Sequence, residues 1–175
     1  MFAVQNFIKL NNVRINKMEN QTKLCLLDID HTLIYGSYAP SEEAELLFQY
    51  SQYLKIYKRP YVDEFVKYLQ KYFSDIIVYT TAKKDYAEKI CEYLNINPTE
   101  LLSRLDCKEI DDRFYKTVKK DWVDSYYKIS IIDDTPNVWV IENNSDEKIK
   151  FFIPKEFRGS SRDEELSNIL ELING

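Results

Sequence analysis

Three short apolar runs divide this sequence, and each is followed at once by polar residues. The runs are mostly aliphatic and span residues 24–27, 76–79 and 129–132. Continuous apolar runs of this length indicate strands that are buried on both faces of a sheet. Ligands of open α/β sheets bind beyond the carboxyl ends of parallel strands, so we expect the three polar ends to meet in one crevice.

Apolar residues recur at helical spacing between these runs, in residues 62–69 and 87–94. Pro60 fits the opening turn of the first helix. We predict a short helix from Pro98 through Leu105, and a closing helix after the capping-box spacing of residues 161–164. Residues 53–57, 138–141 and 150–153 predict further strands.

This order predicts a three-layer, Rossmann-like α/β fold with a mostly parallel central sheet and helices on both faces. The segment between Thr32 and Ile76 is too short for a large cap once its strand and helix are subtracted, so we expect a minimal cap and an open cleft. Residues 1–20 are predicted to be an N-terminal extension, and residues 21–175 the folded domain. The first 17 residues lack acids, and we interpret them as an accessory strand or a simple extension, with a weak transit peptide as the alternative.

The composition limits the partners that this chain can have. A net charge of -5 argues against stable binding to nucleic acid, and the sequence contains no apolar stretch long enough to cross a bilayer. The 3 cysteines are widely spaced and include no C-x-x-C pair, which favours reduced thiols in an intracellular compartment. We expect the cytoplasm, with the nucleus or an organelle as alternatives. The sequence makes no prediction of oligomeric state.

The polar residues after the strands predict phosphoryl chemistry. A carboxylate attacks phosphorus well only when it is held in line and the phosphate charge is neutralised, and Mg²⁺ can supply that neutralisation. Asp28 and Asp133 are suitable magnesium ligands. Asp30, two residues after Asp28, would point to the same side of an extended chain, so one carboxylate can attack while the other transfers the proton.

Residues 28–34 resemble D-x-D-x-T-[LV], the first signature of the haloacid dehalogenase superfamily of phosphohydrolases. Four further features resemble the branch that acts on the RNA polymerase II C-terminal domain (FCP/SCP-type, NLI-interacting-factor-like). These are K-R-P and the following V-D-E-F in residues 58–65, the second motif in 78–82, the lysine motif in 118–119 and D-[DN]-x-P in 133–136. The closing helix is also similar.

The resemblance implies roles for individual residues. Asp28 would be nucleophile and metal ligand, and Asp30 would be acid and base while its backbone carbonyl contacts the metal. Thr80, with Thr81 beside it, would bind the phosphate. The predicted catalytic lysine is Lys119, with Lys120 as the rival. Asp133 and Asp134 would complete the magnesium site.

Three positions depart from the family pattern or vary within it. Tyr61 stands where relatives usually have glycine after K-R-P, and Asp134 matches only some members. His31, the only histidine, is expected to be a spacer that faces away from Asp30 and Thr32.

The expected function is magnesium-dependent hydrolysis of phosphate monoesters through an aspartyl phosphate. Phosphorylated proteins, at phosphoserine or phosphothreonine, are the leading substrates. One alternative is a phosphatase for small molecules or nucleic-acid ends, and another is a catalytically silent binding domain.

Overall fold

A five-stranded parallel sheet forms the centre of the molecule. The computed structural model describes residues 22–141 and 146–175, so the predicted extension, residues 1–20, lies outside the described range. In sheet order the strands are β11 (Ile149–Phe152), β9 (Lys128–Ile132), β1 (Lys23–Leu27), β5 (Asp75–Tyr79) and β6 (Glu100–Leu102). Every pairing is parallel, so the carboxyl ends lie along one edge. The three strands predicted from the apolar runs are confirmed.

Different elements cover the two faces of this sheet. Helices α1 (Val62–Tyr72), α2 (Lys84–Tyr93) and α4 (Glu165–Asn174) pack on one face, where Cys25 and Leu27 of β1 point. The other face, where Leu24 and Leu26 point, is covered by two elements. One is the short helix α3 (Lys120–Ser125), and the other is a small sheet of β7 (Lys108–Ile110), β8 (Arg113–Val118) and β10 (Trp139–Ile141). The predicted three-layer α/β class is confirmed.

A second small sheet lies between β1 and α1 in the chain. It is antiparallel, in the order β2 (Ile34–Ser37), β4 (Lys55–Lys58), β3 (Glu45–Gln49), and we call it the insertion sheet. It packs on α2 through Phe48 and Tyr93, whose stacked rings have centroids 4.2 Å apart. The sequence predicted one strand here and the structure contains three, which still make only a minimal cap.

Two local predictions are wrong. Residues 100–102 form strand β6 rather than a helix, because this segment pairs with the exposed edge of β5; a 3-10 turn, Arg104–Asp106, follows it. The capping box of residues 161–164 does not form. Asp163 instead accepts a hydrogen bond from the Glu165 backbone N–H at 3.1 Å, and its carboxylate also binds an arginine.

The start of α1 also differs in detail from the prediction. Pro60 lies two residues before the first residue of the helix, and Tyr61 precedes the first turn with a left-handed φ of 64° and no side-chain capping bond. Glycine adopts that conformation without strain, whereas tyrosine does so at an energetic cost. None of the helices in the described part of the chain has the length and apolarity that crossing a bilayer requires.

Candidate active site

Asp28 and Asp133 lie side by side at the carboxyl ends of β1 and β9. The two strands are paired with Leu27 opposite Ile132, so the next residue of each strand emerges at the same edge. Both carboxyl groups are buried, with exposed fractions of 6% and 1%. The two carboxylates therefore lie close together, as the sequence predicted.

Lys116 of β8 lies between these two carboxylates. Its ammonium donates to Oδ1 of Asp28 and, at 2.7 Å, to Oδ2 of Asp133, and the side chain is almost entirely buried. Although burial disfavours its charged form, the two carboxylates raise the pKa of Lys116. Lys116 is thus a permanent cation at the centre of the site.

The two lysines predicted from the sequence lie elsewhere. Lys119 is the residue before α3, with its ammonium 4.9 Å from the ring centre of Trp122. Lys120 is exposed and forms an ion pair with Asp124 one helical turn away. The structure brings neither to the carboxylates, because the chain has already left β8 and turned into α3.

Three donors hold the carboxylate of Asp133. Oδ2 accepts the indole N–H of Trp139 at 2.8 Å in addition to Lys116. Oδ1 accepts the backbone N–H of Thr135 at 2.8 Å. These hydrogen bonds therefore fix the direction of the Asp133 carboxylate.

Asp134 faces the same site and is held by Thr32. The Thr32 hydroxyl donates to Oδ1 of Asp134 at 3.0 Å and accepts the Asp134 backbone N–H at 3.1 Å. Asp28, Asp133 and Asp134 each offer an oxygen within 4.8 Å of the others. Carboxylate oxygens at this spacing suit a hard divalent cation such as Mg²⁺.

Asp30 and His31 complete this side of the site. Oδ1 of Asp30 accepts the hydroxyl proton of Tyr86 at 2.7 Å. His31 has a left-handed φ of 61°, which ends the extended alternation after Asp30, and the residue lines the cavity. That its side chain faces away from Asp30 and Thr32 stays a prediction. Nδ1 of His31 donates to the carbonyl oxygen of Phe157 at 3.0 Å.

Thr80 and Thr81 follow β5, the third predicted strand. Both line the cavity, and Thr80 is buried. The hydroxyl of Thr80 accepts the backbone N–H of Ala82 at 3.1 Å, and its own proton is not used in that bond. Both threonines are thus available as contacts for a phosphate oxygen.

These residues surround a cavity of about 140 Å³ at the carboxyl edge of the central sheet. The cavity is small, so it suits a phosphoryl group and its leaving oxygen. Its lining consists of Asp28, Asp30, His31, Thr80, Thr81, Lys116, Asp133, Asp134, Thr135 and Val138.

The charges of this cavity do not balance without a cation. Asp28, Asp30, Asp133 and Asp134 face the single ammonium of Lys116. Burial raises the pKa of Asp28, Lys116 opposes this and Asp133 adds to it. Burial also raises the pKa of Asp30, while the hydrogen bond from Tyr86 opposes the shift. A divalent cation would relieve this excess of negative charge, so the residues present fit magnesium.

Arg59 anchors the loop after β1, which carries Asp28 and Asp30. Its guanidinium is fully buried and donates to the carbonyl oxygens of His31, at 3.2 Å, and Thr32, at 2.9 Å. It also forms a two-bond ion pair with Asp163 and donates to the Lys155 carbonyl oxygen at 2.6 Å. Arg59 therefore joins the active-site loop to the segment before α4.

Comparison with known proteins identifies the family. Residues 23–175 match the family model described as NLI interacting factor-like phosphatase. The chain belongs to this family. The resemblance to haloacid dehalogenase-type phosphatases that we drew from the sequence is thereby confirmed.

Several curated NLI interacting factor-like relatives match this chain over part of its length. One is CTD small phosphatase-like protein 3 of Caenorhabditis elegans, 32% identical over 87 residues, which cover 46% of this chain and 29% of the relative. Another is the human carboxy-terminal domain RNA polymerase II polypeptide A small phosphatase 2, 28% identical over 83 residues, which cover 44% of this chain and 30% of the relative. The chain thus spans less than a third of either relative.

Solved structures of the RNA polymerase II CTD phosphatase Fcp1 share the fold. One has a TM-score of 0.51 at 18% identity and covers 95% of this chain and 53% of that chain. A fission yeast Fcp1 variant bound to beryllium fluoride has a TM-score of 0.52 at 18% identity, and covers 95% of this chain and 54% of that chain. This similarity supports the predicted fold class.

Four contributing residues of this NLI interacting factor-like chain were missed by sequence reasoning. Lys116 had a usable signal: it lies two residues after Phe114 and two before Val118, so the three share one face of β8, and a lysine on that face could have been noticed. Arg59 belongs to the K-R-P motif but was given no role, because its partner Asp163 is far away in the chain. Tyr86 and Trp139 gave no signal that pointed to Asp30 and Asp133.

Proposed function

We propose that this chain is a magnesium-dependent phosphatase that hydrolyses phosphate monoesters through a phosphorylated Asp28. Its proposed substrates are phosphoserine and phosphothreonine side chains of proteins. One observation carries this proposal: Asp28, Asp133 and Lys116 are in contact, and Asp30 lines the same cavity. That arrangement contains a nucleophile, a proton-transfer group and a fixed positive charge.

In the first half of the reaction, an oxygen of Asp28 forms a bond to phosphorus. The bond between phosphorus and the ester oxygen breaks, and the departing oxygen takes a proton from Asp30. The raised pKa of Asp30 supports this role, because the group must begin protonated. The products of this half are a free alcohol and an aspartyl phosphate.

In the second half, water cleaves the aspartyl phosphate. Asp30, now ionised, takes a proton from the water while the water oxygen forms a bond to phosphorus. The bond between phosphorus and Asp28 breaks, which releases inorganic phosphate and restores the carboxylate. Asp30 is then protonated again and ready for the next cycle.

Lys116 and Thr80 would stabilise the charge that develops on the phosphoryl oxygens. Lys116 is buried and fixed by two carboxylates, so its charge acts at low local dielectric without reorganisation. The Thr80 hydroxyl, with Thr81 beside it, would contact a phosphoryl oxygen. We assign this charge-stabilising role to Lys116 rather than to Lys119 or Lys120, because Lys116 contacts both Asp28 and Asp133.

Magnesium would be held by carboxylate oxygens of Asp28, Asp133 and Asp134, with the Asp30 backbone carbonyl as a further proposed ligand. When bound, the ion neutralises phosphate charge and keeps the nucleophilic carboxylate ionised. The hydrogen bonds from Trp139 and Thr135 fix the direction of the Asp133 carboxylate.

The substrate class rests on the shape of the site and on the relatives. The insertion sheet is small, so it leaves room for a polypeptide beside the cavity. The printed names of the relatives describe phosphatases of the RNA polymerase II carboxy-terminal domain. Both features favour a protein substrate over a small molecule.

The decisive experiment measures phosphate release by the purified chain with magnesium chloride. The panel comprises phosphoserine and phosphothreonine peptides, a sugar phosphate, a nucleotide and an aryl phosphate. We expect the phosphopeptides to be hydrolysed, Asp28→Asn to abolish turnover of every substrate, and the exposed variant Lys84→Ala to behave like the parent protein.

Borohydride reduction supplies a direct test of the intermediate, because it converts an aspartyl phosphate to homoserine. Peptide mapping should find homoserine at residue 28 only when substrate is present. Turnover of the sugar phosphate without turnover of phosphopeptides would contradict the substrate class. Unchanged activity of Asp28→Asn would remove this residue from the mechanism.

A further inference from the structure

Tyr86 makes a direct contact with the proposed proton-transfer residue. Its hydroxyl donates to Oδ1 of Asp30 at 2.7 Å, from the first turn of α2. Among the hydrogen bonds of the described residues, this is the one that reaches the Asp30 carboxyl group from another side chain.

The insertion sheet and α2 hold the ring of Tyr86 in place. Tyr50 packs edge-to-face against it with ring centroids 5.1 Å apart, and the Tyr50 hydroxyl donates to Asp85 of α2 at 3.0 Å. On the β2 side, a Cβ atom added at Gly36 would lie 3.6 Å from the Tyr86 hydroxyl oxygen. The hydroxyl therefore has little freedom to leave Asp30.

The direction of this hydrogen bond decides which Asp30 oxygen is available. The phenol hydroxyl of Tyr86 is the donor in this bond, and Oδ1 of Asp30 is the acceptor. Oδ1 is then occupied by the phenol proton. Oδ2 is left to carry the acidic proton and to face the leaving oxygen.

We propose that Tyr86 is a positioning residue that holds the Asp30 carboxyl so that Oδ2 delivers its proton to the leaving oxygen. This inference rests on the proposed function, because it concerns the acid step of that reaction. Tyr86 acts through Asp30 and touches no reacting atom.

If Tyr86 positions the Asp30 acid, its loss has a specific chemical consequence. An alkyl alcohol, such as a serine side chain, is a poor leaving group and needs a proton as its bond to phosphorus breaks. An aryl alcohol leaves readily as its anion and needs little help. Loss of Tyr86 should therefore slow alkyl phosphates more than aryl phosphates, whereas damage to the fold would slow both alike.

The test compares Tyr86→Phe with the parent protein on a phosphoserine peptide and on a nitrophenyl phosphate, with magnesium present. We compare kcat/KM, because it reports the steps through departure of the alcohol. We expect kcat/KM for the phosphopeptide to fall about tenfold, because general acid catalysis usually contributes about 10²–10⁴-fold and Tyr86 supports only part of it. On the aryl phosphate we expect a change below about twofold, because little protonation is needed.

Tyr126→Phe is the matched control. It also removes a hydrogen bond from tyrosine to aspartate, from Tyr126 to Asp75 at 2.9 Å, but at the opposite end of β5. We expect it to change neither substrate. Equal losses on both substrates with Tyr86→Phe, or no loss on either, would overturn the inference. Failure of the proposed function would appear differently, as a parent protein without activity or an active Asp28→Asn variant.

Discussion

Arg59 and Asp163 form a buried ion pair with two hydrogen bonds, at 2.7 and 2.9 Å, across 104 residues of sequence. The guanidinium also holds the carbonyl oxygens of His31 and Thr32 in the loop after Asp28. One buried contact thus links the segment before α4 to the proposed catalytic loop.

Asp163→Ala should strongly destabilise the protein, because it leaves a buried guanidinium without its carboxylate. We expect a loss of about 3–5 kcal/mol in the free energy of unfolding, measured by urea denaturation. Glu45→Ala is the control, since it removes an exposed partner of Lys58 and should cost about 1 kcal/mol or less. Equal losses for the two variants would contradict the anchoring role of Arg59.

Lys116→Met should lower kcat, because it removes the only ammonium that contacts Asp28 and Asp133 in the described residues. Loss of one preorganised stabilising group typically lowers kcat by about 10²–10³-fold. Lys119→Ala and Lys120→Ala should change activity by less than about twofold, since both side chains lie outside the cavity. Circular dichroism checks that the Lys116 variant is folded. The opposite ranking would return the lysine role to Lys119 or Lys120.

Magnesium should stabilise the folded chain through the carboxylate cluster. At about 100 times its dissociation constant, a ligand that binds only the native state adds about 2.7 kcal/mol, which corresponds to a rise of roughly 5–10 °C in Tm at this size. Asp133→Asn should abolish the rise, whereas Asp124→Asn, at an exposed ion pair, should retain it. A magnesium effect that survives Asp133→Asn would contradict the proposed ligands.

Tyr61→Gly should stabilise the protein, because Tyr61 is held at a left-handed φ of 64°. Relief of that strain is worth about 1 kcal/mol, measured as the free energy of unfolding. Tyr53→Gly tests the general effect of glycine, since Tyr53 is exposed and has no positive φ. This control should lose up to about 1 kcal/mol. A loss at both positions would show that backbone strain at Tyr61 is small.

The sequence by itself determined the parts of this protein that depend on neighbouring residues. The apolar runs predicted the three central strands, and the polar residues directly after them predicted that Asp28, Thr80 and Asp133 would meet. This succeeded because burial on both faces requires continuous apolar residues, and because parallel strands bring their carboxyl ends to one edge.

Only the tertiary structure decided which lysine reaches the carboxylates and what holds them. Lys116 enters the site because β8 packs across the sheet face, whereas motif spacing predicted Lys119 or Lys120 for the lysine role. The contacts of Arg59 with Asp163 and of Tyr86 with Asp30 join residues 104 and 56 positions apart. Such pairs arise from the packing of whole elements, and no local pattern of charge or periodicity encodes which distant side chains will meet.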